Sequence, residues 1–417
     1  MGRNSGQRGH IKSISGHEEG VILRVILRDC TILTATRYYK GVDILVEGER
    51  ISRICRNLNE EADLEINCSR GILVPGVIDP HVHLREPGQE YKEDFSTGTM
   101  AALAGGITTV LDMPNNSPPI DSEERLLLKM NKVRKKANVD FGLYITREYS
   151  KRAVAMKTYL CETPNVEYSE EYLRECVSNS RGITAFHAED QEVINKEGRT
   201  LRAEIEGVRK VNSFPVEKRY FCHLTSMEST LMANGIVEVT PHHLILSKTD
   251  RKEYSVNPPL RDKLTVRSLW TSLNYGYVQV IASDHAPHTE DEKKEGVPGF
   301  PGLETLLPSV LTYFQKMRIP LTKAIKLLTH YYKILGIEKG DVTEGYYADL
   351  VLLSKKERKV DSTEFFSKCN FSPFEGMKFR YWPIFTMLRG KLAYSEGEII
   401  EERLGKEILG LRTMQSL

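Results

Sequence analysis

Several features that would mark other protein classes are missing from this chain of 417 residues. No apolar run approaches the roughly 18–20 residues needed to cross a bilayer. The 58 basic and 57 acidic residues leave a formal net charge of +1, so there is no electrostatic footprint for nucleic acid or an anionic membrane surface. Seven cysteines, at positions 30, 55, 68, 161, 176, 222 and 369, are scattered without a CxxC pair. Such a set excludes a disulfide framework and points to a reducing, cytoplasmic setting. The first twenty residues are polar and Gly-rich and lack the apolar stretch of a secretory signal. Residues 1–20 are expected to be a disordered tail or a cloning remnant outside the fold. Low-complexity segments are absent too.

What is present is a globular pattern, 40% apolar, enough for a large core. The two ends look alike. "VILRVILRDCTIL" and "VDILVEGERISRI", with a turn at Gly48-Glu49, read as short strands. "ADLVLLS" and "IFTMLRGKLAYSEGEII" repeat that style near the other end. Strands at both termini predict a small β-sandwich domain assembled from residues 21–75 and 340–417.

Between them the pattern changes. "GILVPGVID", "GITTVLDMP", "VDFGLYIT", "AVAMKTYL", "GITAFHAE", "RYFCHLT", "GIVEVT" and "VQVIASD" are short, continuous apolar runs, as in parallel strands buried on both faces. Helical segments such as Asp121–Lys136 and Leu303–Lys316 separate most of them. Eight such strands over about 260 residues predict an α/β fold, a (β/α)8 TIM-like barrel spanning 76–339. The link between "VDFGLYIT" and "AVAMKTYL" is too short for a full helix, so that unit is expected to be truncated.

The histidines sort with these strands. Of eleven, His10 and His17 lie in the tail and His330 in a helix. The other eight fall at or just after the C-terminal ends of barrel strands, the face on which such barrels place their active sites. In "DPHVHLREPG", His81 and His83 are two residues apart on a strand, so both imidazoles point the same way and can share a metal. A lone HxH is weak evidence. Here Lys157, His187, His223 and Asp284 recur at later strand ends, and such a cluster is best tolerated around a metal. Two divalent cations about 3.5–4 Å apart need an anionic bridge. A neutral Lys157 that captures carbon dioxide would supply one as a carbamate, and burial beside cations favours the neutral amine.

These blocks, with "PGVIDPHVHLREPGQEYKEDFSTGTMAALAGGITTVLDMPNNSPP", "MKTYL", "FHAED", "CHLTS", "EVTPHHL", "NPPLR" and "ASDHAPHT", resemble the cyclic amidohydrolases of the amidohydrolase superfamily, and their dihydroorotase branch most of all. They run in family order across nearly the whole chain. "IFTMLRGKLAY" is similar to the family's closing β-segment. The resemblance implies two zinc ions per subunit. His81, His83 and Asp284 match the ligands of one, His187 and His223 those of the other, and Lys157 the carboxylated bridge. Arg85 and Asn115 match residues that hold a substrate carboxylate, while Asn257 and His288 match further substrate contacts. Pro298 and Gly299 align less cleanly with a loop that meets the pyrimidine ring. Cys222 and Glu238 stand where some relatives have extra metal ligands or residues that support them, and both readings stay open. His242, His243 and His285 are expected to be structural or supporting.

The implied reaction interconverts dihydroorotate and N-carbamoyl-aspartate in pyrimidine biosynthesis. A hydroxide bridging the metals would attack, and Asp284 would serve as general acid and base. Arg85 separates the readings: a guanidinium suits an exocyclic carboxylate, which dihydropyrimidinase substrates lack. Allantoinases resemble "HVHINEPG" and "SDHSPC" where this chain has "HVHLREPG" and "SDHAPH". A non-catalytic homologue acting as an assembly partner is the remaining alternative, and such proteins usually lose metal ligands. Small-molecule substrates are the expected partners, alone or with a homo-oligomer or an association with aspartate transcarbamoylase.

Overall fold

The computed structural model describes residues 22–250 and 254–409. The expected tail, with His10 and His17, lies outside the described residues. Eight parallel strands form the barrel: β1 (Val77–Val82), β2 (Ile107–Asp112), β3 (Asp140–Ile145), β4 (Ala155–Tyr159), β5 (Ile183–His187), β6 (Lys218–Phe221), β7 (Ile236–Val239) and β8 (Val280–Ile281). Each pairs with its neighbour in chain order. β1 to β5 are buried along their full length, which is why their sequences show no polar alternation. β8 is only two residues long, and the ring closes just beyond it. There His285 bridges Val82 in parallel, and the His83 N–H donates to the His285 carbonyl at 2.8 Å. The closing seam therefore lies at the C-terminal mouth.

Helices cover the outside, among them Phe95–Ala104, Glu123–Val133, Glu170–Asn179, Leu201–Ser213, Lys263–Tyr275, Leu306–Lys316 and Leu321–Leu335. Ser122, Ser169 and Asp262 cap three of them by accepting first-turn N–H bonds. The short link from β3 to β4 holds no helix, as its length predicts. His330 lies in the last of these helices and does not line the cavity at the mouth. No helix among the described residues is long and apolar enough to cross a membrane.

The two chain ends build one nine-stranded mixed sheet. Gly71–Pro75 from the N-terminal part runs antiparallel to Leu350–Ser354 from the C-terminal part, with Leu73 opposite Leu352. Val25, Leu27 and Ile32 share a core with Leu350, Leu352, Phe385 and Met387. The run "GILVPGVID" is divided between the two bodies, Gly71–Pro75 in this sheet and Val77–Val82 in the barrel. Gly76 makes the crossing because a Cβ there would lie 2.3 Å from Thr108 Oγ1.

A buried ion network locks sheet to barrel. Lys339 Nζ meets Asp349 at 2.6 Å and Asp140 of β3 at 2.5 Å, while Arg389 pairs with the same Asp140. Removing one member of such a set costs about 3–5 kcal/mol, because its partner charge is left buried and uncompensated. Two excursions return to the barrel. Residues 405–408 run along β3, where Phe141 N–H donates to Lys406 O at 3.0 Å and Ile408 N–H to Phe141 O at 2.7 Å. The segment between the short strands Arg358–Lys359 and Lys378–Phe379 reaches the mouth. There Ser367 Oγ donates to Glu93 at 2.5 Å and Cys369 Sγ to the His288 carbonyl at 3.1 Å.

Candidate metal centre

At the end of β1 the alternation of a strand does what the HxH spacing predicts. His81 Nε2 and His83 Nε2 converge on one oxygen of Asp284, at 3.3 Å and 3.2 Å. Each ring is aimed from behind. His81 Nδ1 lies 2.9 Å from Glu238, a fully buried carboxylate of β7 that also accepts the His223 N–H at 2.8 Å and the Tyr220 hydroxyl. His83 Nδ1 lies 2.7 Å from Asn115 Oδ1. With Nδ1 donating in both rings, each Nε2 is turned inward toward Asp284, the orientation that a carboxylate or amide behind a metal-binding imidazole enforces.

Across the mouth, His187 Nδ1 and His223 Nε2 are 3.1 Å apart. Glu189 lies 2.9 Å from His187 Nε2 and also pairs with Arg199. Lys157 is fully buried on β4. Its Nζ donates to Cys222 Sγ at 2.9 Å and sits 5.3 Å from the Tyr159 ring centroid, with no carboxylate partner among the described residues.

Three groups of side chains could each hold a cation: His81, His223 and Asp284; His81, Cys222 and Glu238; and Cys161, His187 and Glu189. Burial lowers His81 and His187, yet Glu238 and Asp284 hold the first up at about 10 and Cys161 and Glu189 hold the second up at about 9, so a bound cation would displace a proton from each ring. Burial opposes the charge on Asp284, yet the surrounding His81, His83 and His223 keep its carboxyl well below the usual range. Burial holds His83 down at about 3 and His223 well below its ordinary value, so both rings are neutral donors. His223 Nδ1 is buried without a hydrogen-bond partner among the described residues, a desolvated lone pair or N–H that costs about 1–3 kcal/mol unless something binds it. The donor set, imidazoles with carboxylates, fits a divalent cation such as zinc.

The wall facing this cluster is cationic. Arg85 is 8% exposed; its Nη2 donates to His288 Nε2 at 3.1 Å and its Nε to the Pro287 carbonyl at 3.2 Å. His288 Nδ1 lies 3.1 Å from Glu292, which pairs with Lys92 at 2.9 Å. Burial first, then Arg85 and Lys92, press His288 down to about 3. It is therefore neutral, with Nδ1–H toward Glu292 and its lone pair toward Arg85.

All twelve site residues expected from sequence line one cavity of about 120 Å³: His81, His83, Arg85, Asn115, Lys157, His187, His223, Asn257, Asp284, His288, Pro298 and Gly299. Three of them hold a left-handed backbone, Arg85 at φ 63°, His223 at φ 37° and Asp284 at φ 48°. For non-glycine residues this costs about 1–3 kcal/mol each and clusters at functional sites. His242, His243 and His285 stay outside the cavity. His243 Nε2 donates to Pro258 O at 2.9 Å, and His285 Nδ1 accepts the Gly302 N–H at 3.1 Å.

Sequence reasoning missed Glu189, Arg199, Lys92 and Glu292. Glu189 could have been found, being an acid two residues past a strand-end histidine. Lys92 and Glu292 hide in "QEYKED" and "TEDEKKEG", which look like ordinary solvated charge.

A barrel whose mouth gathers histidines and carboxylates able to hold a cation is the architecture of a hydrolase of the amidohydrolase class. The amidohydrolase family profile matches residues 72–393, and the chain belongs to that family. Within it the chain is a dihydroorotase-like cyclic amidohydrolase. It is 35% identical over 383 residues to a dihydroorotase of Pyrococcus horikoshii, covering 87% of this chain and 91% of that one. A dihydroorotase of Methanothermobacter thermautotrophicus is 32% identical over 403 residues, 86% of this chain and 92% of its own. Among solved structures, the L-hydantoinase (dihydropyrimidinase) from Arthrobacter aurescens superposes with a TM-score of 0.84 at 24% identity, over 92% of this chain and 99% of that one. Dihydropyrimidinase from Brevibacillus agri gives 0.83 at 22%, over 93% and 98%. At that identity the two structures speak for the fold alone.

Proposed function

We propose that the protein is a zinc-dependent dihydroorotase that reversibly opens the ring of dihydroorotate to N-carbamoyl-aspartate, in the cytoplasm, as a step of pyrimidine biosynthesis. The observation that carries this reading is Arg85. Its guanidinium is buried, its direct partners are a neutral imidazole and a carbonyl, and no described carboxylate pairs with it. A desolvated cation facing a cavity favours an anionic ligand, and a guanidinium holds a carboxylate in two parallel bonds. Dihydroorotate carries such a group beside its cyclic amide, whereas hydantoins and dihydropyrimidines do not.

In this reading His81, His83 and Asp284 would hold one cation, and His187 and His223 a second. Attack of the Lys157 Nζ lone pair on carbon dioxide, forming an N–C bond and releasing one proton, would give a carbamate whose oxygens could hold cations beside these ligands. Lys157 is buried with no carboxylate partner among the described residues, so no ion pair has to be broken for that reaction. Metals bound there would make a water nucleophilic near neutral pH and polarise the ring carbonyl. Arg85 anchors the substrate carboxylate, Asn115 offers its amide N–H while its oxygen stays on His83, and Asn257 and His288 complete the contacts. Asp284, ionised between three histidines, takes the proton from the attacking water and returns it to the leaving amide nitrogen. The same residues run the ring closure in reverse.

An ultraviolet assay of the zinc-loaded protein tests this directly. Dihydroorotate should be formed and consumed, with hydantoin, dihydrouracil and allantoin turned over at least about a hundredfold less well. Equal turnover of an uncharged ring would reassign the substrate. No turnover of any cyclic amide after zinc loading would favour the non-catalytic reading.

A further inference from the structure

Lys293 has no part in the mechanism above, yet it is 2% exposed. It lies on the short helix Glu290–Lys294 that follows β8. Its ammonium donates to three backbone carbonyls: Ser255 at 3.0 Å, Val297 at 2.7 Å and Gly299 at 2.9 Å. Among the described residues it has no carboxylate partner. This sets it apart from the buried Lys129 and Lys339, which are neutralised by Asp112 and by Asp140 with Asp349. The rings of Tyr254, Phe300 and Phe371 stand 5.4–5.8 Å from its nitrogen, a range at which aromatic faces attract a cation.

The three carbonyls belong to the two loops that carry the ring-side contacts. Ser255 precedes Asn257 by two residues, and Val297 and Gly299 flank Pro298. The loops also meet directly, through Gly299 N–H to Ser255 O at 3.0 Å and Ser255 Oγ to Gly296 O at 2.6 Å. There is little slack on the other side. Gly299 has φ +147°, and a Cβ on it would lie 2.6 Å from Ala286 O and 2.9 Å from His288 Cδ2. Any movement of these loops therefore changes where Asn257 and Pro298 stand relative to Arg85 and His288.

We propose that Lys293 is a positioning residue for the ring-binding end of the cavity, its ammonium tying the Asn257 loop to the Pro298–Gly299 loop and so setting the slot the substrate ring enters. Three N–H groups meet three carbonyl oxygens, which would otherwise face one another around a buried side chain. Burial lowers the Lys293 pKa only to about 8, so the third proton is retained at neutral pH. The assignment deepens the dihydroorotase reading and rests on it for the identity of the ring.

The test compares Lys293→Met and Lys293→Gln with the unaltered, zinc-loaded enzyme in steady-state kinetics, metal content and amide hydrogen exchange. KM for dihydroorotate should rise about tenfold or more, with kcat within about threefold and zinc content unchanged. Exchange should quicken in residues 254–258 and 296–300 and stay as before in the barrel strands. An unchanged KM together with unchanged exchange in those loops overturns the proposal. So does a loss of protection throughout the barrel in both variants, which would make Lys293 a general stabiliser of the fold. If the unaltered enzyme ignores dihydroorotate, the functional reading falls, while the exchange experiment still decides whether Lys293 clamps the two loops.

Discussion

Replacing Glu238 should separate orientation from folding at the metal centre. One oxygen of this carboxylate takes the His81 Nδ1–H at 2.9 Å and the His223 N–H at 2.8 Å, and the other takes the Tyr220 hydroxyl. Glu238→Gln keeps the shape. Its amide oxygen can still accept the first two donors, and its NH2 can donate to Tyr220 if that hydroxyl turns round. What is lost is the charge that makes His81 a stronger base toward a metal. Changes of this kind behind a ligating imidazole weaken metal binding about 10–100-fold, or about 1.4–2.7 kcal/mol. Glu238→Ala is a different perturbation, leaving three buried donors unpaired. At about 1–3 kcal/mol each, the loss is about 3–9 kcal/mol, a large part of the 5–15 kcal/mol that stabilises a typical domain. Zinc affinity by competition with a chromophoric chelator, and thermal unfolding of the apoprotein, measure the two effects separately. Unchanged zinc affinity in Glu238→Gln, or an alanine variant melting within a few degrees of the parent, would refute the reasoning.

Three further substitutions test the remaining roles. Asp284→Ala should reduce turnover in both directions by at least about a hundredfold while dihydroorotate still binds; measurable catalysis above that level would put the proton shuttle elsewhere. Arg85→Met should weaken the substrate carboxylate's binding by about 2–5 kcal/mol, seen as a KM at least about thirtyfold higher at unchanged zinc content. A near-native KM would point to an uncharged ring. Lys157→Ala should lose bound metal and nearly all activity. Acetate or propionate should restore part of the activity by occupying the place of the carbamate. A crystal structure of the metallated parent should show three extra atoms on Lys157 Nζ, and a bare lysine in an active, fully metallated enzyme would sink the bridge.

The barrel and its mouth were legible in the sequence because two periodicities act locally. Continuous apolar runs mark strands buried on both faces, and the two-residue repeat of a strand sends His81 and His83 to the same side whatever surrounds them. Strand ends converge on one face of such a barrel, so residues as far apart as His81 and Asp284 could be assigned to one site before any coordinates. The matching β-patterns of the two chain ends likewise foretold a small β-domain completed by both ends.

Other features depend on approach in space, which no local pattern encodes. The resemblance left Glu238 open between a metal ligand and a supporting residue, and only the packing of β7 beside β6 and β1 puts its carboxylate behind His81. Lys293 sat in a stretch of alternating charge, and only the fold of three separate segments around it turns a surface-like lysine into a buried hub of carbonyls. The single sheet formed by the chain ends follows from Gly71–Pro75 pairing with Leu350–Ser354, across most of the chain's length. Periodicity reports which face of an element is buried, whereas the partner met on that face is chosen by the summed packing of distant segments. The strands and the metal-ligand candidates were therefore readable from the chain alone, and the groups that aim them were decided by the tertiary structure.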